Sequence, residues 1–324
     1  MERFDKNIFR DTNKPVKVII DTDPGVDDTA CLIYAMFDEN VDIKLLTTVA
    51  GNVGIDVSTR NLLHVLDLFN KDIPVAKGAA RALLRDSETA EFIHQKSGMG
   101  GYTPPENSAR KLLEKDAIEA MYETIMAGDG DINIVVLGPH TNIAGLIIRH
   151  PDVIPKIPKI AFMGGSPYGN PDYPDHISFN ISSDPEAFKV VLLSGIPLLM
   201  CPSHMGRRKA HLDEEFVNSL ENINDVGKFL HTMYSEYWEP SYADKRITTN
   251  DTCTLLALVY PKLFIMKKVE ADVNTCCAPG KTDICFCKNG KIDFVHDVHR
   301  EDFLKFLTTE LSDADLASIK IKHK

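Results

Sequence analysis

The sequence VKVIIDTDPGVDD, residues 16–28, joins an apolar run to four carboxylates within the eight residues from Asp21 to Asp28. Acids packed this closely repel one another and lose hydration, so a folded chain keeps them only where a cation or strong hydrogen-bond donors balance their charge. Oxygen ligands without any Cys or His favour calcium or magnesium over zinc or copper. The alternative is an acidic first turn of a helix, which explains one or two of the acids more readily than all four.

The acids surround a turn that joins a predicted strand to a predicted helix. Pro24 fixes φ and Gly25 tolerates positive φ, so the chain bends between the acids. The helix is predicted over 29–40, where apolar residues recur on one face. The acids are therefore expected in a strand-to-helix loop, which is where open α/β sheets bind ligands.

Strand-like and helical patterns alternate along most of the chain. Strands are predicted at 16–20, 43–49, 132–137, 160–163, 197–201, 269–274, 282–287 and 291–295. Helices are predicted at 57–69, 108–127, 142–149, 185–194 and 301–309, with a largely helical region over 211–260. The alternation predicts an α/β fold with a doubly wound, mostly parallel central sheet and helices on both faces.

The 324 residues contain no linker, low-complexity segment or fixed repeat, so we expect one domain over 1–324, with 1–14 and 312–324 peripheral. The net charge of −11 disfavours nucleic acid or an anionic membrane as a partner. Segment 1–14 lacks a signal-peptide core, and no apolar stretch approaches the about 18 residues of a membrane span. We therefore expect a cytoplasmic protein without a membrane partner.

Seven cysteines, an odd number in a long chain, argue against a disulfide framework and for reduced thiols. Four of them cluster, at Cys276, Cys277, Cys285 and Cys287, and a zinc site is conceivable there. Their spacings differ from those of zinc knuckles. We therefore predict that they are buried free thiols on strands.

Glycines and polar residues follow three of the predicted strands. The segments are Thr48-Val49-Ala50-Gly51-Asn52, Leu137-Gly138-Pro139-His140-Thr141-Asn142 and Met163-Gly164-Gly165. Loops at the carboxyl ends of parallel strands converge on one edge of the sheet. Residues that are distant in sequence can therefore share a pocket with the acids.

The chain carries five segments in a fixed order: DTDPGVDD, AGN, LGPHTNIA, FMGG and the pair Asn250-Asp251 at the start of a late helix. This ordered set resembles the inosine-uridine preferring nucleoside hydrolase family, over roughly 16–306. The resemblance implies a single-domain α/β enzyme that binds one calcium ion and hydrolyses the N-glycosidic bond of ribonucleosides. It also implies a homodimer or homotetramer.

The resemblance implies a set of calcium ligands. They are Asp23, Asp28, the main-chain carbonyl of Leu137, and Asp251. Calcium prefers such a mixture of carboxylate and carbonyl oxygens, and the carbonyl of Leu137 is freed from regular pairing where its strand ends. Asp251 has a second interpretation, as a simple N-cap of the helix 252–260.

The implied mechanism is direct attack of a calcium-bound water on the anomeric carbon of ribose, with Asp23 as general base. Negative charge from the acid cluster would stabilise an oxocarbenium-like transition state. The residues that the resemblance places around ribose are Asp27, Asn52, Met163, Asn170, Ser178 and Asn180. Asp21 is expected to support the loop, and the alternative for Asn52 is a simple turn residue after Gly51.

Two positions depart from the family pattern. Ser178 stands where the family often has Glu, so a hydroxyl replaces a charged partner of the sugar. Asn250 stands where many pyrimidine-preferring and nonspecific members have His beside the departing base, and Asn cannot act as a general acid. His94 is then the best titratable candidate for activating the leaving base, with an exposed loop histidine as the alternative.

The leaving base is also expected to contact aromatic residues. Trp238 and Tyr242, in a predicted helical stretch over 234–242, would stack on the base, with Asn250 nearby. The same aromatic residues could instead be ordinary core residues. The preference for purine or pyrimidine nucleosides stays open.

Two other functions fit parts of the sequence. Asp21-x-Asp23 after an apolar strand, with Asp129 and Asp131 later, resembles a haloacid dehalogenase-type phosphatase. However, Gly25 stands where that motif has Thr or Val, and the later acids precede a strand instead of following one. A noncatalytic family member that binds nucleosides without cleaving them fits the substitutions at Ser178 and Asn250.

Overall fold

The computed structural model describes residues 4–86, 89, 97–106, 108, 110–167, 177–235, 237 and 245–314. Its strands are β1 (Val16–Thr22), β2 (Val41–Thr48), β3 (Val75–Lys77), β4 (Asn133–Val136), β5 (Ile160–Met163), β6 (Leu198–Cys201), β7 (Leu212–Asp213), β8 (Arg246–Ile247), β9 (Phe264–Val273), β10 (Thr282–Phe286) and β11 (Ile292–Val298). Strands β7 and β8 form a small antiparallel pair of their own. The other strands form one large sheet.

The α-helices of the described ranges are α1 (Val26–Phe37), α2 (Ile55–Leu68), α3 (Ala117–Ala127), α4 (Thr141–Arg149), α5 (Phe179–Ser183), α6 (Pro185–Leu193), α7 (Glu214–Leu220), α8 (Asp225–Tyr234), α9 (Asn250–Val259) and α10 (Arg300–Asp313). Short 3₁₀ helices occur at Lys6–Phe9, Pro151–Lys156 and Pro261–Leu263, and one π-helical turn at Met205–Lys209. Within these ranges, we find no helix that is both long and apolar enough to cross a bilayer.

The large sheet has the order β10-β9-β11-β6-β5-β4-β1-β2-β3. Every neighbouring pair from β11 to β3 is parallel, and β9 is antiparallel to β10 and β11. The order of the strands reverses between β1 and β4, because β2 and β3 follow on one side and β5 and β6 on the other. The carboxyl ends of β1 and β4 therefore flank a topological switch point, where such folds bind ligands.

Buried apolar residues form a layer on each face of the sheet. Val18 and Ile20 of β1 belong to one layer, with helices α1, α2, α8, α9 and α10. Ile19 faces the other layer, with α3, α4 and α6. Both faces are covered, so the central strands are continuous apolar runs. The prediction of an α/β fold with helices on both faces of a mostly parallel sheet is confirmed.

Some predicted boundaries were wrong. Helix α1 begins at Val26, not at 29, so Asp27 and Asp28 lie in its first turn and not in a loop. Helix α3 occupies only the second half of 108–127, because Asp116 caps it by accepting a hydrogen bond from the Glu119 amide at 2.9 Å. The region 211–260 contains β7 and β8 as well as helices, and the short strand β3 was missed.

The prediction that the clustered cysteines are buried was also wrong, although all four are free thiols as predicted. Cys276 and Cys277 are exposed in the turn between β9 and β10, Cys285 is exposed on β10, and Cys287 is partly exposed beyond it. The reason is that β10 is the last strand of the sheet and turns alternate residues to solvent. The described residues contain no group of three or more His, Cys, Asp or Glu side chains already arranged as a metal centre.

A buried ionic network joins the first described residues to α10. Lys6 donates to Asp38 at 2.9 Å and to Glu310 at 2.5 Å. The hydroxyl of Tyr260 donates to Asp38 at 2.7 Å. Burial, followed by the nearby Asp38 carboxylate, raises the pKa of Glu310 to about 7.

This network predicts a pH dependence of stability. Because the pKa of Glu310 is higher in the folded state, its favourable contribution is complete below about pH 4.5 and is lost as the pH rises toward about 7. Glu310→Gln lacks this titration. Between about pH 4.5 and 7, its free energy of unfolding should therefore rise relative to that of wild type by up to about 3 kcal/mol. Urea unfolding at several pH values measures this gain, with Glu301→Gln, an exposed acid of the same helix, as control. A difference that does not change with pH would contradict the assignment.

Candidate active site

Five buried carboxyl groups meet at the carboxyl end of β1. Asp21 lies in β1 and Asp23 just after it, while Asp27 and Asp28 lie in the first turn of α1. Asp251 comes from the first turn of α9. All five are between 0 and 6 % exposed. The structure thus brings Asp251 to the acids of the opening motif, although more than 220 residues separate them.

The carboxylate of Asp28 accepts hydrogen bonds from the turn that precedes it and from Asn52. Its Oδ1 accepts hydrogen bonds from the Thr22 hydroxyl at 2.6 Å and the Asp23 amide at 3.2 Å. Its Oδ2 accepts from the Gly25 amide at 3.2 Å and from the Asn52 side chain at 2.9 Å. Asp28 therefore fixes the shape of the loop at the N-terminus of α1, where the helix dipole favours negative charge.

Asp23 has one bonded and one free carboxylate oxygen. Its Oδ2 accepts a hydrogen bond from the Asn52 amide at 2.7 Å, whereas its buried Oδ1 has no donor among the described residues. A Cβ atom at Gly51 would lie 2.1 Å from Oδ2, and one at Gly138 would lie 2.7 Å from Oδ1. The two glycines therefore let the loops after β2 and β4 approach this carboxylate, which explains why each loop carries Gly at that point.

Asp27 links the N-termini of two helices. Its Oδ2 accepts hydrogen bonds from the amides of Asn250, at 2.8 Å, and Asp251, at 3.3 Å. Its buried Oδ1 has no donor in the part of the chain that the structure describes. Asp251 is not the N-cap of α9, because that position is Thr249. The alternative interpretation of Asp251 as a simple cap is therefore wrong.

The cluster is electrostatically strained. Burial raises the pKa of Asp23, Asp27 and Asp251 well above the usual value, and the neighbouring Asp28 carboxylate raises all three further. No Lys, Arg or His among the described residues forms an ion pair with these acids. Without positive charge nearby, these three carboxyl groups therefore hold their protons more readily than usual.

Residues from β4, β5 and α5 form the opposite side of the site. Asn180, 5 % exposed, donates from its side chain to the Leu137 carbonyl and, at 3.5 Å, to the Met163 sulfur. Ser178 immediately precedes α5, and its buried hydroxyl has no partner among the described residues. The structure thus brings Leu137, Met163 and Asn180 together.

The hydrogen bonds of Asp21 are consistent with a supporting role, while its buried Oδ2 has no donor among the described residues. Its Oδ1 accepts hydrogen bonds from the hydroxyl of Thr47 at 2.5 Å and the side chain of Asn142 at 2.8 Å. Asn142 also donates to the Thr48 carbonyl at 2.9 Å and accepts from the Ala79 amide at 2.9 Å. Sequence reasoning assigned no role to Asn142, although it lies in the motif LGPHTNIA.

Asn142→Ala should destabilise the protein by about 2 to 3 kcal/mol, because it removes one of the two donors to the buried Asp21 carboxylate and the hydrogen bonds of Asn142 to two main-chain groups. Urea unfolding in the presence of a chelator measures the change in free energy. Asn133→Ala is the matched control, because Asn133 makes a single 3.3 Å bond to a carbonyl at the other end of β1. A loss no greater than that of the control would contradict the assigned role.

The base side of the site is only partly described. His94, Asn170, Trp238 and Tyr242 lie outside the described residues. Asn250 begins α9, and its side-chain oxygen accepts a hydrogen bond from the Gly206 amide at 3.0 Å. Helix α8 ends at Tyr234, so the helix predicted over 234–242 does not continue through Tyr237.

The family model for inosine-uridine preferring nucleoside hydrolases matches residues 18–305. The chain belongs to this family. Its similar relatives include proteins named non-specific ribonucleoside hydrolase RihC from Salmonella paratyphi B and Salmonella typhimurium, each 38 % identical over 258 residues. The aligned region covers 80 % of this chain and 83 % of each relative. The nucleoside hydrolase family predicted from the motifs is confirmed.

Solved structures of nucleoside hydrolases share the fold. A plant nucleoside hydrolase, PpNRh1, superposes with a TM-score of 0.83 at 27 % identity, over 92 % of this chain and 99 % of that one. A purine-preferring ribonucleoside hydrolase from Gardnerella vaginalis gives a TM-score of 0.81 at 27 % identity, over 91 % and 98 % of the two chains. The prediction that the chain is a nucleoside hydrolase enzyme is confirmed.

Proposed function

We propose that this member of the nucleoside hydrolase family hydrolyses the N-glycosidic bond of ribonucleosides to free base and ribose, at the carboxylate cluster at the end of β1. The observation that carries this proposal is the free Oδ1 of Asp23. It is a buried carboxylate oxygen that accepts no hydrogen bond from any residue that the structure describes, at the switch point of the sheet. Such an oxygen is suited to accept a proton from water in a site that the protein shields from solvent.

We propose calcium as the ion of the cluster. Asp23, Asp28, Asp251 and the Leu137 carbonyl would hold it. The proposal is supported by the oxygen chemistry of these four groups, which calcium prefers, and by the Oδ1 of Asp23, which has no donor among the described residues. When bound, calcium would supply positive charge that lowers the pKa of a nearby water and offsets the repulsion among the carboxylates.

In the proposed mechanism, Asp23 is the general base. Its Oδ2 is held by the Asn52 amide, which leaves Oδ1 oriented to take the proton of the attacking water. The water adds to the anomeric carbon as the bond to the base breaks, and the buried carboxylates stabilise the positive charge that develops on the sugar. Asp28, bonded to the loop by four donors, keeps Asp23 in place.

We propose that the ribose lies between α1 and α5. Asp27 has a free Oδ1 that can accept a hydrogen bond from a sugar hydroxyl, because amides of α9 occupy only its other oxygen. The other proposed contacts of the ribose are Asn52, Met163, Asn170, Ser178 and Asn180. Asparagine side chains both donate and accept, which suits neighbouring hydroxyls.

The groups proposed to act on the base are His94 as the proton donor and Trp238, Tyr242 and Asn250 as base contacts. The names of the relatives differ in substrate preference, since one is called non-specific and another purine-preferring. We therefore propose ribonucleosides as the substrate class, without a preferred base. We also propose a homodimer or homotetramer of single-domain chains.

Release of ribose tests the proposed function. The purified protein is incubated separately with inosine, adenosine, uridine and cytidine, and free ribose is assayed. We expect release from at least one of them. Binding of nucleosides without any release would contradict the proposal and favour a noncatalytic member of the family.

The phosphatase alternative receives no support from the positions of the later acids. Asp131 forms an ion pair of 2.7 Å with Lys17, near the start of β1. The strand rises about 3.3 Å per residue, so Asp131 lies about 20 Å from the end that carries Asp23. Asp131 therefore cannot share a site with the first motif.

Substitution of Ser178 tests sugar binding, because the variant should bind the sugar less well and yet be as stable as wild type. Its buried hydroxyl has no partner among the described residues, so Ser178→Ala should change the free energy of unfolding by less than about 0.5 kcal/mol. If the hydroxyl binds the sugar, the same change should raise KM about 3- to 10-fold, which corresponds to one neutral hydrogen bond. Steady-state kinetics and urea unfolding of the same preparation measure both quantities. An unchanged KM would contradict the contact.

A further inference from the structure

Two adjacent cysteines are exposed in the turn between β9 and β10. Cys276 and Cys277 are both open to solvent, and their sulfur atoms lie 3.8 Å apart. Cysteine is among the residue types most often buried in proteins, so packing does not account for two exposed neighbouring thiols. Three other cysteines are buried, at Cys31, Cys201 and Cys253.

The exposed and buried thiols differ in reactivity. Burial raises the pKa of Cys201 to about 12 and raises those of Cys31 and Cys253 well above the usual value. Thiols of that kind are inert, because the thiolate is the reactive form. Cys276, by contrast, is accessible and lies close enough to Arg85 to interact electrostatically with its guanidinium. Cys276 is therefore open to an oxidant in solvent, whereas the three buried thiols are not.

The turn that carries the pair is ordered by its own hydrogen bonds. The Asn274 side chain accepts from the amides of Cys276 at 2.9 Å and Ala278 at 3.0 Å. The Gly280 amide donates to the Asn274 carbonyl at 2.9 Å. The backbone around the two thiols is therefore held in one shape, and a covalent bond between the sulfurs would have to change that shape.

The turn also packs against the elements on the sugar side of the site. A Cβ atom at Gly280 would lie 2.5 Å from the Cα of Ser182 in α5, the helix that carries Asn180. The Arg85 side chain donates to the Thr275 carbonyl at 2.7 Å and to Glu186 of α6 at 2.6 and 2.8 Å. The turn and α5 are therefore in direct backbone contact at Gly280 and Ser182.

We propose that Cys276 and Cys277 are a redox-reversible dithiol, which oxidants of the peroxide class close to a disulfide, and that its closure alters the sugar side of the active site. The second part rests on the proposed function. Adjacent residues have Cα atoms about 3.8 Å apart, whereas ordinary disulfides join Cα atoms about 4.4 to 6.8 Å apart. The bond is therefore strained, and strained exposed disulfides are readily reduced. This makes the pair a switch and not a structural bridge.

The reaction balances with hydrogen peroxide as the oxidant. One thiolate attacks a peroxide oxygen, the O–O bond breaks, and a sulfenic acid and hydroxide form. The second thiolate attacks the sulfenic sulfur, the S–O bond breaks, and hydroxide leaves as the S–S bond forms. The two thiol protons end on the two hydroxides. Two thiols and one hydrogen peroxide thus give one disulfide and two waters.

Peptide mapping tests the chemistry directly, because trypsin separates the two cysteine pairs. Cleavage after Lys268, Lys281 and Lys288 places Cys276 and Cys277 in peptide 269–281, and Cys285 and Cys287 in peptide 282–288. The full-length protein is treated with hydrogen peroxide, alkylated with N-ethylmaleimide and digested. We expect peptide 269–281 to lose the mass of two hydrogen atoms and to escape alkylation, and dithiothreitol to reverse both effects.

Variants distinguish this outcome from other oxidations. Cys276→Ser and Cys277→Ser should each abolish the mass loss in peptide 269–281, whereas the double variant Cys285→Ser and Cys287→Ser should retain it. Full alkylation of 269–281 after peroxide treatment would overturn the proposal. A cross-link between the two peptides or between two chains, with no closed 269–281, would also overturn it.

Kinetics test the coupling to the active site. Oxidised wild type should show a KM for nucleoside raised by at least about twofold, the effect of a small coupling energy between distant sites. The variant with both Cys276→Ser and Cys277→Ser should show no such response to peroxide. Complete closure with unchanged KM would overturn the coupling. The mass change is measured without substrate, so it does not depend on the proposed hydrolysis. If the reduced protein releases no ribose, the proposed hydrolysis is refuted, but the dithiol chemistry is not.

Discussion

Asp23→Asn should lower kcat for ribose release about 10²- to 10⁴-fold, the range that a positioned general base contributes. The carboxamide keeps the shape of the side chain and can still accept the Asn52 amide at its oxygen, but it cannot take a proton from water. With calcium removed by a chelator, the same variant should be more stable than wild type. Burial and the Asp28 carboxylate penalise the ionised form of Asp23, and the substitution removes that charge.

A control variant separates this effect from a general loss of negative charge. Asp42→Asn removes an acid at the amino end of β2, where it pairs with Lys44 in a half-exposed ion pair of 2.7 Å. It should leave kcat unchanged. Ribose release by Asp23→Asn at more than about a tenth of the wild-type rate would exclude Asp23 as the base, because a general base contributes at least about 10²-fold.

Asp251→Asn should abolish most of the stabilisation that calcium gives. For wild type, calcium at 100 times its Kd should add about 2.7 kcal/mol to the free energy of unfolding. If Asp251 is a ligand and its loss raises the Kd 100-fold, the same calcium concentration adds only about 0.4 kcal/mol. Thermal unfolding with calcium and with chelator measures both values. This loss is expected because the Asp251 carboxylate lies beside that of Asp28, and no cation among the described residues neutralises the two charges.

The chain provides a matched control for this variant. Asp56 occupies the second position of α2, as Asp251 does in α9, so both acids interact with a helix dipole in the same way. Asp56 is exposed and pairs with Lys77. Asp56→Asn should leave the calcium effect intact. Equal stabilisation of Asp251→Asn and wild type by calcium would remove Asp251 from the ligand set.

The motif predicted which acids lie together, but the helix that carries two of them begins earlier than the apolar pattern predicted. The predicted start of α1 followed the apolar periodicity from Ala30, but the helix begins at Val26. The Asp28 side chain accepts the Gly25 amide, which makes the acids themselves part of the helix start. Periodicity could not reveal this, because the signal came from polar residues that bind the backbone. The motif DTDPGVDD therefore predicted which acids lie together at the end of β1, whereas the predicted helix boundary was wrong.

The individual hydrogen bonds between distant segments were not predicted from the sequence, although the family resemblance placed Asp251 with the opening acids. The bond from Asn142 to Asp21 joins residues 121 positions apart, and the bonds from Asn250 and Asp251 to Asp27 join residues more than 220 apart. Each depends on the order of strands in the sheet, which a single sequence does not specify. The exposure of the clustered cysteines likewise depends on β10 being the last strand of the sheet.

Ribose release by chelator-treated protein, measured while calcium is added back, tests the central claim most directly. The account predicts no release above background in chelator. It predicts recovery over the same calcium concentrations that raise the melting temperature, and no recovery for Asp251→Asn at those concentrations. Release that continues unchanged in the presence of the chelator would contradict the claim that the carboxylate cluster acts through a bound metal ion.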